Sequence, residues 1–188
     1  MLYHVSPKKG LKTIRPVTST HGKPYVYAVE DMVTGLLFGA KKDDFDLMIY
    51  TDENRLPVVY ECYPDALKEV YQGRSCSVYL LKDEGFLRGV TSWEAELVCE
   101  TEVEVVGETT VDDLLGRLLE EERGGRLILH RYEYSDEYRS IITDHVVDRI
   151  VRFGIDLNGI LETDSRFSKH YRDIVQEMTR HTDGHLLK

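Results

Sequence analysis

The sequence predicts an α+β protein in which a mainly antiparallel sheet is followed by a helical C-terminal extension. Segments with the composition of strands cluster in residues 1–106, whereas amphipathic helical patterns dominate residues 107–188. Strands that cluster in this way, with few helices between them, favour an antiparallel sheet. The chain has no strand followed by a GxGxxG turn and no Walker loop, which disfavours a classical dinucleotide-binding fold and a P-loop enzyme.

The first predicted elements are short. Residues 2–5 predict an opening strand, and the β-branched and aromatic residues 25–28 predict a second strand after a polar loop at residues 17–24. Glu30 and Asp31 are predicted to open a helix, because acidic side chains in a first turn suit the positive end of the helix dipole.

The middle of the predicted sheet is interrupted by a single short helix. Asp52 and Asn54 give the segment between the predicted strands at residues 47–50 and 57–62 the composition of a hairpin turn. In chain order the predicted strand, strand, helix and strand occupy residues 47–50, 57–62, 64–71 and 76–81.

The clearest periodicity lies in residues 93–106. Apolar and acidic side chains alternate there with a period of two, which predicts a long strand or hairpin arm with one face on a core. The apolar side consists of Trp93, Ala95, Leu97, Cys99, Val103 and Val105, and the acidic side of Glu94, Glu96, Glu100, Glu102 and Glu104.

The rest of the chain is predicted to form three helices separated by turns. Thr109 or Thr110 can cap the first helix, because a hydroxyl oxygen can accept a hydrogen bond from a free amide of the first turn. Ser135 can cap the second helix, and Asp164 or Ser165 the last one.

Length and charge narrow the classes of function. A chain of 188 residues suits one domain with an extension, and we place the boundary between a core at residues 1–106 and a helical part at residues 107–188. A net charge of −10 disfavours nucleic-acid partners, including an RNA-directed phosphotransferase role. The acidic clusters Asp112-Asp113 and Glu120-Glu121-Glu122 are interpreted as solvated faces.

The sequence also indicates a cytoplasmic protein with no membrane association. It contains no run of 18 apolar residues, and its first residues lack the features of a signal peptide. The three cysteines, Cys62, Cys76 and Cys99, have no zinc-site spacing and are interpreted as reduced core thiols.

Three short motifs follow one another in a characteristic order. The chain opens with Leu2-Tyr3-His4-Val5-Ser6, continues with Gly22-Lys23-Pro24-Tyr25-Val26-Tyr27-Ala28 and Asp31-Met32-Val33-Thr34, and later reaches Ser92-Trp93-Glu94-Ala95-Glu96. In this order, residues 1–106 resemble ADP-ribosyltransferases of the diphtheria-toxin and poly-ADP-ribose polymerase kind. Those proteins carry a histidine on the first strand, then a tyrosine strand, and then a glutamate on a late strand. The resemblance implies a split, mainly antiparallel sheet.

The same resemblance implies a role for each residue type. His4 would hydrogen-bond a ribose hydroxyl, and Tyr27, or alternatively Tyr25, would stack on the nicotinamide ring. Glu96, with Glu94 as the alternative, would hydrogen-bond the other ribose and stabilise the positive charge that develops as the glycosidic bond breaks. The implied catalytic residues are thus Glu96, Glu94 and His4, and the implied cofactor-binding residues are His4, Tyr25, Tyr27, Ser6 and Thr34.

The implied function is that of a transferase that takes NAD as a substrate and needs no metal. It would transfer ADP-ribose to an acceptor, for which a protein is one candidate, and release nicotinamide. The alternative is a catalytically inactive ligand-binding or protein-interaction module with the same fold. In that case the leucine-rich stripes of the helical half could dock a partner or form a homodimer.

Overall fold

The computed structural model describes residues 1–18, 22–43, 45–91, 93–156, 159, 162, 166 and 168–172. The chain divides into two compact units. The first unit consists of Met1–Lys41, Tyr50–Val58 and Lys68–Ile128, and the second of Lys42–Ile49, Val59–Leu67 and Leu129–Lys188. Within the described residues, no helix combines the length and the apolar character that a membrane span requires.

Strands and helices occur together, as an α+β chain requires. The strands are β1 (Leu2–Ser6), β2 (Thr13–Ile14), β3 (Val17–Thr18), β4 (Pro24–Val29), β5 (Leu47–Thr51), β6 (Pro57–Glu61), β7 (Cys76–Leu81), β8 (Leu87–Arg88), β9 (Glu96–Cys99), β10 (Val103–Val111) and β11 (Ile128–His130). The helices are α1 (Met32–Leu36), α2 (Ala66–Tyr71), α3 (Leu114–Arg123) and α4 (Asp136–Phe153).

The larger sheet is open and mostly antiparallel, which confirms the predicted α+β class. Its order is β2-β10-β7-β1-β4-β9-β8, and β3 pairs with β4 beside this path. β1 lies in the middle of the sheet and pairs along its whole length with β7, from Leu2 opposite Leu81 to Ser6 opposite Ser77. A smaller sheet has the order β11-β6-β5.

One face of the larger sheet carries a hydrophobic core cluster. Because side chains alternate between the faces of a strand, the apolar residues that β1, β4, β7 and β9 contribute all lie on this face. The buried members are Leu2, Ile14, Val26, Ala28, Tyr79, Leu81, Leu97 and Cys99, and Leu11, Phe86, Val103 and Val105 pack against them.

On the other face, a β-carbon added at Gly35 of α1 would lie 3.0 Å from a methyl group of Val5 and 3.3 Å from one of Val29. The absence of a side chain at Gly35 therefore lets α1 lie close to β1 and β4.

The prediction of one long strand or hairpin arm over residues 93–106 is wrong. Residues 93–95 come before β9 and belong to no strand. β9 pairs with β4 and β8, whereas β10 pairs with β7 and β2, so β9 and β10 are not neighbours in the sheet. The alternation itself is real, because Leu97, Cys99, Val103 and Val105 all meet the core cluster. A period of two records which face is buried, but it does not record which strand lies alongside.

The first helix cap of the C-terminal half was also placed wrongly. Thr109 and Thr110 lie within β10, opposite Val78 and Ser77. Asp113 caps α3 instead, since its carboxylate accepts a hydrogen bond from the amide of Gly116 at 3.0 Å. The predicted boundary after residue 106 therefore falls inside a strand.

Glu121 was wrongly interpreted as part of a solvated face. Its side chain is buried on α3 and accepts hydrogen bonds from Arg117 at 2.7 Å and from Arg126. Burial alone would raise its pKa, but the hydrogen bonds from Arg126 and Arg117 outweigh burial and hold the pKa below its ordinary value. A buried carboxylate with two guanidinium partners is thus a structural element of the first unit.

The helix cap at Ser135 in the second unit is confirmed. Its hydroxyl oxygen accepts a hydrogen bond from the amide of Tyr138 at 3.2 Å, and Gly154 ends α4 in the left-handed conformation. The last predicted helix lies mostly outside the described residues, and its described residues 166 and 168–172 are helical. The caps predicted at Asp164 or Ser165 lie outside the described residues.

Candidate functional site

The three strands that carry the predicted site residues are neighbours in the larger sheet. β4, with Tyr25 and Tyr27, lies between β1, with His4, and β9, with Glu96. Val29 joins all three strands, because it pairs with Tyr3 of β1 on one side and with Glu96 of β9 on the other. Folding thus brings motifs from distant parts of the chain to adjacent strands.

The side chain of His4 links β1 to β4, in addition to the main-chain pairing of Tyr3 with Val29. Its Nδ1–H donates a hydrogen bond to the carbonyl oxygen of Tyr27 at 2.7 Å. Burial lowers the pKa of the imidazole, and the hydrogen bond to Tyr27 only partly opposes this effect. The ring is therefore neutral near pH 7, and with Nδ1 protonated its Nε2 carries a lone pair that can accept a hydrogen bond.

The predicted aromatic and acidic residues share one face of the sheet. Val26 and Ala28 point into the core cluster, so Tyr25 and Tyr27 project from the opposite face of β4. Their rings meet edge to face with centroids 6.0 Å apart. Glu96 is directly opposite Val29, and by the same alternation it lies on the face of the two tyrosines.

His4 is on the other face. It alternates with Tyr3 and shares the side of Leu2, and its ring centroid is 6.3 Å from that of the fully buried Tyr79. The structure thus brings the tyrosines and Glu96 together on one face, while the imidazole of His4 reaches β4 from the opposite side.

The hydroxyl groups of Ser6 and Thr34 are both engaged locally. Ser6 Oγ accepts a hydrogen bond from the amide of Lys8 at 3.2 Å. The amide and hydroxyl of Thr34 both donate to one carboxylate oxygen of Asp31, at 2.6 and 2.7 Å, which caps α1. The main observed role of Thr34 is therefore to bind the capping carboxylate at the start of α1, where the sequence predicted an acidic helix opening.

A pocket in the first unit brings two of the predicted site residues together. Thr34 and Glu94 line a cavity of about 440 Å³, which lies at the end of β4 and the start of β9. Its other described lining residues are Val29, Glu30, Asp31, Thr51, Asp52, Glu53, Arg55, Arg88 and Ala95. A cavity of about 590 Å³ adjoins it and shares Glu30, Arg55, Arg88 and Glu94. Both volumes are in the range of small-molecule sites.

One carboxylate of this pocket lies close to two guanidinium groups. Glu30 forms an ion pair with Arg88, and the guanidinium of Arg55 is 3.9 Å from its second oxygen. The hydrogen bond from Arg88 holds the pKa of Glu30 below its ordinary value. Among the described lining residues, carboxylates outnumber guanidinium groups by three, so the cavity is electronegative.

Sequence reasoning missed Arg55 and Arg88. Arg55 belongs to the predicted hairpin turn, where Asp52 accepts hydrogen bonds from the amides of Asn54 and Leu56 and Arg55 adopts a φ of 64°. A non-glycine residue in this region is uncommon and is tolerated where the surrounding turn determines it. The turn composition was visible in the sequence, but the place of its side chain beside Glu30 was not.

A second polar cluster, also missed, lies on the face of His4. Tyr79 is opposite His4 on one side and opposite Glu108 on the other. One Glu108 oxygen accepts hydrogen bonds from the amide of Gly10, the hydroxyl of Ser77 and the hydroxyl of Tyr79, at 2.9, 2.7 and 3.1 Å. Because these donors favour the ionised form, the hydrogen bond from Gly10 first among them, the pKa of Glu108 is lowered.

The donor groups of the described residues do not form a metal site. No group of three or more His, Cys, Asp or Glu side chains in these parts of the chain could hold a metal ion.

Comparison of the chain with protein-family models, curated proteins and solved structures gave no match. The chemistry open to the site therefore follows from its own residues. These residues supply carboxylates beside a cavity of ligand size, a pair of aromatic rings on one face of the sheet, and a neutral imidazole on the other face.

Proposed function

We propose that this chain is an ADP-ribosyltransferase-like protein that binds NAD and transfers ADP-ribose to an acceptor. The proposal depends on the order β1-β4-β9, because these neighbouring strands carry the histidine, the tyrosines and the glutamate on which the family resemblance was based. In the reaction, the bond between the ribose carbon and the nicotinamide nitrogen breaks, and nicotinamide leaves. A nucleophilic atom of the acceptor bonds to that carbon and loses its proton.

The proposal assigns one role to each of these residues. The Nε2 lone pair of neutral His4 would accept a hydrogen bond from a ribose hydroxyl, since Nδ1–H is already bound to the Tyr27 carbonyl. Tyr27, which is half-buried and meets the buried Tyr25 edge to face, would stack on the nicotinamide ring. Glu96, on the face of these tyrosines, would stabilise the oxocarbenium-like transition state.

The electronegative cavity supports the same proposal. As the glycosidic bond breaks, the positive charge of the nicotinamide ring passes to the sugar, where a carboxylate such as that of Glu94 would stabilise it. The cavity also lies next to Val29, the residue that links β4 to β9 beside Glu96.

A ligand-binding or protein-interaction module without turnover is the second candidate function. It is favoured by His4, whose ring is on the face of the sheet opposite Tyr25 and Tyr27. If the imidazole and the glutamate engage the ligand from opposite faces, NAD could still be bound without the arrangement that cleavage requires.

Release of nicotinamide from NAD tests the proposed activity. We expect Glu96→Gln, or the double variant Glu94→Gln/Glu96→Gln, to lower the rate by about a hundredfold or more, because a preorganised anion would be lost. Glu100→Gln is the matched control, since Glu100 is an exposed residue of the same acidic stripe. NAD-dependent thermal stabilisation without nicotinamide release would support the second candidate. If the protein neither releases nicotinamide nor is stabilised by NAD, both proposed uses of NAD are refuted.

A further inference from the structure

We propose that Arg55 and Arg88 form a binding site for a diphosphate group, and that Glu30 is the internal counter-ion which a bound diphosphate replaces. We call these three residues the Glu30 cluster. The cluster lines the cavity of about 590 Å³ in the first unit. The proposal rests on the proposed function only for the statement that the diphosphate is that of NAD.

The Glu30 cluster holds an oxyanion between two guanidinium groups from distant parts of the chain. Arg88 of β8 donates a hydrogen bond to one carboxylate oxygen of Glu30, and the guanidinium of Arg55 lies 3.9 Å from the other oxygen. The planar fork of a guanidinium group matches the oxygens of a carboxylate and those of a phosphate. The place of the Glu30 carboxylate is therefore one that a phosphate group fits.

The ion pairs of the cluster are exposed, so a ligand can compete for both arginines. The side chains of Glu30, Arg55 and Arg88 are 47%, 81% and 54% exposed. Exposed ion pairs contribute little to stability because water screens them. A diphosphate carries more negative charge than a single carboxylate and has more acceptor oxygens, so it can bind both guanidinium groups at once. The exchange of Glu30 for a ligand therefore requires little free energy.

The ion pairs of Glu121 show a structural arrangement of the same chemical groups. Glu121 also binds two guanidinium groups, those of Arg117 and Arg126, but its carboxylate is only 1% exposed. A ligand from solvent therefore does not reach that position. In contrast, the groups of the Glu30 cluster line a cavity of ligand size, and a β-carbon added at the neighbouring Gly89 would meet no atom beyond the adjacent residues within 4 Å. The space beside the two arginines is thus open to a ligand.

The charges along the groove suit a ligand that is anionic at one point and becomes cationic at another. Among the described residues that line the cavity of about 590 Å³, Arg55 and Arg88 balance Glu30 and Glu94. Once a ligand replaces Glu30, the two arginines form a positive region beside the carboxylate of Glu94. In NAD, one ribose separates the diphosphate from the bond to nicotinamide. The diphosphate can therefore lie at the arginines while the reacting ribose lies near Glu94.

Binding of inorganic diphosphate to the full chain tests the site without any nucleotide. Equilibrium dialysis with radiolabelled diphosphate, at one fixed ionic strength, measures the affinity directly. We expect Arg55→Gln and Arg88→Gln each to lower the affinity about tenfold, because charge-assisted hydrogen bonds are lost. Glu30→Gln should raise the affinity about two- to fivefold, because the competing carboxylate is removed. The thermal midpoint of each variant should stay close to that of the parent, which shows that the variants fold.

Two matched variants separate the site from general effects of charge. Arg15→Gln removes a guanidinium group from another exposed ion pair of the same unit, and Glu53→Gln removes an exposed carboxylate from the lining of the adjoining cavity. Both should leave the diphosphate affinity almost unchanged. The site is overturned if the parent binds no diphosphate, if neither cluster arginine matters, or if Arg15→Gln costs as much affinity as Arg88→Gln. Equal gains with Glu53→Gln and Glu30→Gln would overturn the counter-ion role of Glu30.

The affinity for NAD, measured on the same variants, separates the diphosphate site from the proposed function. Equal losses of diphosphate and NAD affinity in Arg88→Gln support both. Diphosphate binding that depends on Arg88, in a protein that binds no NAD, supports the site and rejects the proposed function. An NAD affinity that Arg88→Gln leaves unchanged rejects the diphosphate of NAD as the ligand of this site. Release of nicotinamide by a protein that binds no diphosphate overturns the site and leaves the proposed function in place.

Discussion

At the scale of single residues, the environment of a side chain decides its chemistry. His4 and Glu121 are both polar residues in apolar surroundings, but they are accommodated differently. His4 becomes neutral and keeps one hydrogen bond to a carbonyl, whereas Glu121 stays charged because two guanidinium groups surround it. At the exposed Glu108, hydrogen bonds from an amide and two hydroxyl groups lower the pKa of the carboxyl group.

The protonation of His4 should appear in the pH dependence of stability. Its pKa is lowered in the folded chain from an ordinary value of 6.5, chiefly by burial, so the unfolded chain takes up the proton first. The free energy of unfolding should therefore be highest above about pH 6.5, decrease as the pH falls through that value, and stop decreasing below the folded-state pKa.

Urea unfolding at about pH 7.5 and about pH 5.5 tests this prediction in the wild-type chain and in His4→Gln. Glutamine can still donate to the Tyr27 carbonyl but does not titrate. Part of the loss of stability at the lower pH should therefore disappear in the variant. The same pH dependence in both proteins would contradict the prediction, because the other histidines are common to both.

At the scale of secondary-structure elements, local signals predicted β1, β4, β5, β6 and β7 and the cap of α4. The strand at residues 76–81 was predicted with the bounds that β7 has, and Ser135 caps α4 as expected. Both depend on short-range chemistry, namely β-branched composition and a hydroxyl before a helix. The strand predicted over residues 93–106 ends inside β10, because Thr109 and Thr110 suit either a strand or a cap, and only the ladder with β7 decides between them.

The cap of α3 gives a test at this scale. Asp113→Ala removes the acceptor of the Gly116 amide and should lower the free energy of unfolding by about 1 kcal/mol. Asp113→Asn keeps a capping oxygen and should recover most of this loss, as seen in urea unfolding. Glu120→Ala, at an exposed position of the same helix, should have an effect near zero. Equal losses for the Ala and Asn variants would show that Asp113 acts otherwise than as a cap.

At the scale of the whole molecule, the chain passes several times between two compact units. Each unit gathers segments that are far apart in sequence, such as Met1–Lys41 and Lys68–Ile128 in the first. The net charge of −10 belongs to the chain as a whole, and within the first unit the candidate cavity is electronegative too. Cys76 and Cys99 belong to the first unit and Cys62 to the second, so the thiols can report on each unit separately.

All three thiols should be protected in the folded chain. They are buried, and burial raises the pKa of Cys62 to about 12 and that of Cys76 to about 11. Since the thiolate is the reactive form, we expect alkylation in buffer to be at least about a hundredfold slower than in concentrated urea. Mass spectrometry of the labelled peptides over a urea series measures each thiol, and a native rate close to the unfolded rate at any of them would contradict the buried position.

The sequence by itself determined the features that depend on residues close together along the chain. Alternation, turn composition and capping residues predicted the α+β class, β7, the hairpin turn around Asp52 and the start of α4. The tertiary structure alone decided that β1, β4 and β9 are adjacent, that His4 and Tyr27 project from opposite faces, and that Arg55 and Arg88 meet at Glu30. The physical reason is that the order of strands and the contacts between side chains depend on segments far apart in the chain. A period of two specifies which face of a strand is buried, but it does not specify which strand pairs with it.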